Sequence, residues 1–243
     1  MWQQTSAIVL RSLKYGETSV ITTLFTEKMG VQTYIIKGIR KTSAKKNNIG
    51  LFQPCTLLNT VAPSQIKNIQ FLKEYELAYP YMDLQQEIIK NAIALFSVEL
   101  LYKLLPEHAP QEELFQFCFH YFKELDKKPR ASVANYPIFF LFQCGNILGY
   151  ELKGDYSENT PYLNISDGGF SSIPPQNPPY LSQEECSFFS RLYHISTWEE
   201  SENFKIDAKF RYAIIDWYLA FLKVYCEHLG SIKSLSLLRT ILH

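Results

Sequence analysis

The apolar residues of this 243-residue chain change their repeat near Pro80, and that switch limits the folds open to it. Before Pro80 they fall into short β-rich runs at residues 5–13, 19–26 and 31–37, with Tyr15-Gly16 and Lys28-Met29-Gly30 supplying turns between them. Two more runs follow at 55–60 and 67–77. Five short strands within eighty residues, with the widest gap between the third and fourth, predict a small closed barrel of the OB type. After Pro80 the spacing becomes helical. Ile89, Ile93, Phe96, Leu100 and Leu104 recur at intervals of three and four, which sets them along one stripe of a helix that Pro106 ends. Further helices are predicted over 111–125 and 132–148. Late in the chain, Ile206, Phe210, Ile214, Trp217, Phe221 and Val224 form one apolar line and Ile215, Tyr218, Leu222 and Tyr225 a second, the mark of a central core helix. The expected fold class is therefore α+β: an N-terminal five-stranded OB-type barrel over 1–80, then an all-α domain over 81–243.

One stretch of the helical part, 149–181, has no regular repeat. It contains Asp167-Gly168-Gly169 and Pro174-Pro175-Gln176-Asn177-Pro178-Pro179, which read as turns and polyproline conformation within an extended wrapping loop.

Equal numbers of acidic and basic residues conceal an uneven distribution. Residues 1–80 hold ten lysines and arginines against four glutamates, a net of +6, which leaves −6 for the rest of the chain. One part of the molecule is therefore suited to a polyanion and the other is not. Residues 38–50, in the widest gap of the barrel, carry Arg40, Lys41, Lys45 and Lys46 with no acid. A solvated loop would account for these charges taken alone. Their position after Lys37, on the domain that carries the basic excess, points instead to phosphate contacts. Arg11 and Lys14 flank the end of the first strand, so Arg11, Lys14, Lys37, Arg40, Lys41, Lys45 and Lys46 are the candidate nucleic-acid-binding residues. Tyr15 and Tyr34 are the candidate stacking residues, although alternation sets Tyr34 on the face opposite Lys37 and favours a core position for it. Binding through such cations would fall steeply with salt and discriminate little between sequences.

Enzyme chemistry finds little support. The five histidines are separated from one another, and HExxH, GxSxG, GxGxxG and GxxxxGK[ST] are all absent. Cys118 and His120 lie two apart, a spacing that points them to different sides of a helix. The five cysteines are odd in number and contain no CxxC pair, which argues against a disulfide framework or a cysteine-rich metal site and fits reduced thiols. The start Met1-Trp2-Gln3-Gln4 does not read as a signal peptide, and no apolar stretch reaches 18 residues. A soluble, cytoplasmic protein without a cofactor is the expectation.

Ala7-Ile8-Val9-Leu10-Arg11, Gly16-Glu17-Thr18-Ser19, Leu24-Phe25-Thr26-Glu27 and Lys37-Gly38-Ile39-Arg40-Lys41 resemble the RecO family of bacterial DNA repair and recombination mediators. So do Leu51-Phe52-Gln53-Pro54-Cys55 and Glu76-Leu77-Ala78, and, more weakly, Leu229-Gly230-Ser231-Ile232-Lys233-Ser234-Leu235. The resemblance implies an OB barrel with a helical domain that binds single- and double-stranded DNA and anneals complementary strands. It also implies work at the nucleoid with a RecR-like partner and single-strand binding protein to load RecA. Many members hold zinc through four cysteines around a glycine pair; here Gly168-Gly169 matches the pair, but no cysteine lies between Cys144 and Cys186. No metal is expected. Two other readings stand beside this one: an OB-fold adaptor binding RNA or a protein partner, and an enzyme with a polar pocket at Asp207, Lys209 or His228.

Overall fold

The computed structural model describes residues 1–39, 49–64 and 69–242. The chain forms two compact units, residues 1–127 and 128–243.

The first unit is built on β1 (Trp2–Tyr15), β2 (Ser19–Thr26), β3 (Gly30–Ile36), β4 (Leu57–Pro63), β5 (Gln70–Phe71) and β6 (Glu74–Leu77), in the sheet order β5-β3-β2-β1-β4-β6. The run expected as one fifth strand is two. β5 pairs parallel with β3, β6 pairs antiparallel with β4, and two residues between them carry the chain from one sheet edge to the other. The sheet thereby curls into a barrel with the fifth segment as its seam. β4 also begins later than the expected 55, because Cys55 adopts a left-handed φ of 73° that an extended strand does not admit.

Ala7, Val9, Leu24, Tyr34, Ile36 and Leu58 fill the barrel interior, and Phe52 from a 3₁₀ turn (Ile49–Phe52) joins them. The opposite face of the same strands is apolar at one end, where Ile8, Phe25 and Leu57 are also fully buried. Two helices of this unit supply partners for that face, α1 (Ile88–Leu104) and α2 (Glu112–Lys127). The rings of Phe25 and Phe115 meet edge to face at 5.3 Å. The predicted stripe Ile89, Ile93, Phe96, Leu100 and Leu104 is buried in α1, which also buries Ala94, Val98 and Leu101 on its other sides.

The second unit contains α3 (Tyr136–Ile147), β7 (Tyr162–Asn164), β8 (Gly169–Ser171), α4 (Gln183–Tyr193), α5 (Trp198–Asn203), α6 (Ala208–Tyr225) and α7 (Ser234–Ile241). α3 starts at Tyr136 rather than 132, since Pro137 suits a first helical turn and a separate 3₁₀ turn takes Arg130–Ser132. α6 buries the middle of both expected apolar lines, Ile214, Trp217 and Phe221 on one and Ile215, Tyr218 and Leu222 on the other, whereas Val224 and Tyr225 at its end are exposed and Ile206 precedes the helix. The stretch expected to be irregular contains the β7–β8 hairpin, pinned where Lys153 donates to the Gly168 carbonyl and accepts from Phe170 N.

Candidate nucleic-acid interface

Strand register decides which side chains the barrel presents outward. β1 meets β2 with Arg11 opposite Thr23, Leu13 opposite Ile21 and Tyr15 opposite Ser19. Thr23 and Ile21 in turn face Thr33 and Ile35 on β3, and Ile35 faces Phe71 on β5. Side chains on a strand alternate between faces, so these residues lie opposite the buried Leu24, Tyr34 and Ile36. They form three cross-strand rows: Arg11, Thr23 and Thr33; then Leu13, Ile21, Ile35 and Phe71; then Tyr15 and Ser19. Lys37 stands two residues beyond Ile35 on the same side. None of these residues is acidic.

A bulge puts Arg11 there. Ala7 and Val9 face the core, and simple alternation would send Arg11 inward after them. The register shifts between Val9 and Arg11, so one extra residue inverts the faces of everything that follows in β1. Arg11, Leu13 and Tyr15 turn outward, and Lys14 falls opposite Val20 on the core-side face, exposed at the end of the strand. Arg11 and Lys37 therefore share a face and Lys14 does not. Arg40, Lys41, Lys45 and Lys46 lie outside the described residues.

Both outward cations rest on aromatic rings. Arg11 donates from Nη1 to the Tyr102 hydroxyl at 3.3 Å, with its guanidinium carbon 5.6 Å from that ring's centroid. The Lys37 ammonium sits 4.5 Å from the centroid of Phe71. These exposed cation–π contacts are worth about 0.5–1 kcal/mol each, enough to bias a side chain's position without immobilising it.

Tyr34 is core. Its ring is fully buried beside Gln70, burial pushes its phenol pKa well up, and its hydroxyl has no hydrogen-bond partner among the described residues. Tyr15 is 53% exposed and Phe71 47%, although both belong to strands. Sequence reasoning missed Phe71, because a continuous strand over 67–77 gives no account of which side of the barrel it shows.

The enzyme reading gains no geometry. Cys118 is buried and His120 exposed on α2. Asp207 caps α6 by accepting from Phe210 N at 2.8 Å. A cavity of about 490 Å³ in the second unit is lined by Asn135, Lys205, Asp207 and Arg211 among others, and by neither Lys209 nor His228. Nor do the residues fit zinc: among the described residues, no three His, Cys, Asp or Glu side chains are grouped to hold a metal ion. Around Gly168-Gly169, hairpin hydrogen bonds and the Phe170 ring occupy the glycine-pair region. No described helix is long and apolar enough to cross a membrane.

Residues 1–81 match the family described as Recombination protein O N terminal, and residues 85–236 match Recombination protein O C terminal. The chain belongs to the RecO family. A DNA repair protein RecO from Phocaeicola vulgatus is 30% identical over 198 residues, covering 81% of each chain. One from Bacteroides fragilis is 31% identical over 199 residues with the same coverage, and one from Christiangramia forsetii is 26% identical over 238 residues, 98% of each chain. RecO membership places the chain in DNA repair. The OB-type barrel and the helices after it agree with the two-part family match.

Proposed function

We propose that this chain is a non-enzymatic DNA-binding mediator of recombinational repair. It binds single- and double-stranded DNA, anneals complementary strands and, with a RecR-like partner, helps load RecA on strands coated by single-strand binding protein. Residues 1–80 serve as the nucleic-acid module, acting at the nucleoid, and the helices of 81–243 as scaffold and partner surface. The observation that carries this reading is the acid-free set of three outward rows on β1, β2, β3 and β5, with Arg11 and Lys37 at its margins and the barrel's outward glutamates, Glu74 and Glu76, on β6 instead.

The physical logic is electrostatic. Two complementary strands repel through their phosphates, and a surface that neutralises phosphates without reading base edges lowers that repulsion for any sequence. No cofactor enters such a step. Titrating a labelled single strand at rising salt tests the reading: tight binding at low salt that weakens log-linearly supports it, and no binding at low salt ends it. Replacing Lys37, Arg40, Lys41, Lys45 and Lys46 together with alanine is expected to abolish binding at moderate salt. An unchanged dissociation constant in that variant would remove these five cations from the interface.

A further inference from the structure

Outward-facing sheet residues beside cations are usually polar, yet the middle row here is not. Leu13, Ile21, Ile35 and Phe71 lie side by side across β1, β2, β3 and β5, with Leu13 and Phe71 each close to half exposed at the two ends. Tyr15 extends the apolar surface by one row, and Arg11 and Lys37 border it. Glu17, in the turn after Tyr15, is the nearest acid in the sequence and stands outside all three rows.

We propose that this row, ending in Phe71 and Tyr15, is a stacking platform for unpaired bases, and that it gives the barrel a preference for single strands over duplex. The inference rests on the nucleic-acid reading above and adds to it which form of DNA the face selects. The occupant follows from the combination of chemistries. Rings and aliphatic groups offer area to the faces of bases, while cations at the margins meet phosphates, as on other single-strand platforms. A duplex keeps its base faces stacked internally and can use only the cations.

The Lys37–Phe71 contact holds the ring's partner in reserve. Stacking of a base on a ring is worth roughly two to three times an exposed cation–π contact, so an arriving base displaces the ammonium. The released ammonium then has the adjoining phosphate as its partner. A base held by its face keeps its pairing edge free, which is the state annealing needs.

Phe71→Ala and Tyr15→Ala, each in the full chain, test the platform against a dT oligonucleotide and a duplex of equal length at one salt concentration. Single-strand affinity is expected to fall roughly 5- to 100-fold in Phe71→Ala, with duplex affinity within twofold and recovery in Phe71→Trp. A 2-aminopurine placed in the oligonucleotide is expected to be quenched on binding wild type and not Phe71→Ala. If Phe71→Ala loses its fold, shown by duplex affinity falling as well, Tyr15→Ala and the Phe71→Trp quenching decide in its place. Wild type that binds neither form overturns the nucleic-acid reading itself. Wild type that binds both, with single-strand affinity and quenching unchanged in the alanine variants, overturns the platform alone and leaves the apolar row to a protein segment.

Discussion

Lys90 Nζ donates to the backbone carbonyl of Asp126 at 2.7 Å, joining the first turn of α1 to the last turn of α2. The same ammonium, only 2% exposed, pairs with Asp83 at 2.7 Å, while the Asp126 carboxylate accepts from the amides of Met82, Asp83 and Leu84 at 2.9–3.1 Å. One buried carboxylate thus fixes the segment that leads from the barrel strands into α1. Asp126→Ala keeps the carbonyl that Lys90 uses but leaves three backbone amides and the Tyr79 hydroxyl without their acceptor, and about 3 kcal/mol of stability should be lost in urea unfolding. Asp126→Asn, which keeps one acceptor oxygen, should lose less. Equal stability of Asp126→Ala and wild type would show that water replaces these bonds freely.

Sequence periodicity carried most of the fold. The α1 stripe and the two apolar lines of α6 were legible because helix faces are local and repeat every three or four residues. β1 was legible as a strand and illegible as a surface. The bulge after Val9 inverts its faces, and no residue type there announces one, so Lys14 and Arg11 could not be assigned to sides. The break between β5 and β6 was hidden for a different reason: it exists because two distant edges, those of β3 and β4, both need a partner. The β7–β8 hairpin has three-residue strands, too short for a period to register.

The bulge has a binding consequence. If Arg11 and Lys37 meet phosphates on the outer face, Arg11→Ala with Lys37→Ala should weaken single-strand binding across sequences and lower the slope of log affinity against log salt by about 1 to 1.5. Lys14→Ala should lower it less. A larger slope change from Lys14→Ala than from the pair would place the strand at the barrel's end instead of on its outer face.

Gly169 tests how the glycine-pair hairpin is held. A Cβ there would come within 2.2 Å of the Lys153 carbonyl oxygen and 2.5 Å of its nitrogen, backbone atoms that cannot swing aside. Gly169→Ala should cost about 1–3 kcal/mol as overpacking, read as a lower Tm. Because backbone pairing and Phe170 hold this region, a strong chelator should leave the Tm of wild type unchanged. A chelator-dependent drop would mean that a metal contributes after all.

The α5 cap gives a dependence on pH. Glu200 accepts from the amides of Ser196 and Thr197, and those bonds hold its carboxyl below the ordinary value of 4.5. A pKa depressed by folding means stabilisation present above the unfolded value and lost as pH falls through the folded one. Glu200→Gln should therefore be less stable than wild type at neutral pH, and the gap in Tm should close on acidification. A gap that stays constant through the acid range would assign the cap's effect to hydrogen-bond geometry and not to charge.

Closure of the barrel depends on a buried amide chain. Gln70 donates from Nε2 to Gln32 Oε1 at 3.2 Å, and Gln32 donates from Nε2 to the Met29 carbonyl at 2.8 Å, with both side chains buried. β5 has only two residues, so this bond supplements a ladder of just two residue pairs with β3. Gln70→Leu strips the Gln32 oxygen of its donor and should cost about 1–3 kcal/mol. Gln32→Leu strands the Gln70 amide and the Met29 carbonyl and should cost at least as much. In the double variant the two amides disappear together, so its loss should fall short of the sum by about 1 kcal/mol or more. Additivity within a few tenths would mean that the two glutamines act independently. The same bond seats Phe71 beside Ile35, and Gln70→Leu should therefore weaken single-strand binding more than duplex binding, a loss that restoring stability by lower temperature would not recover.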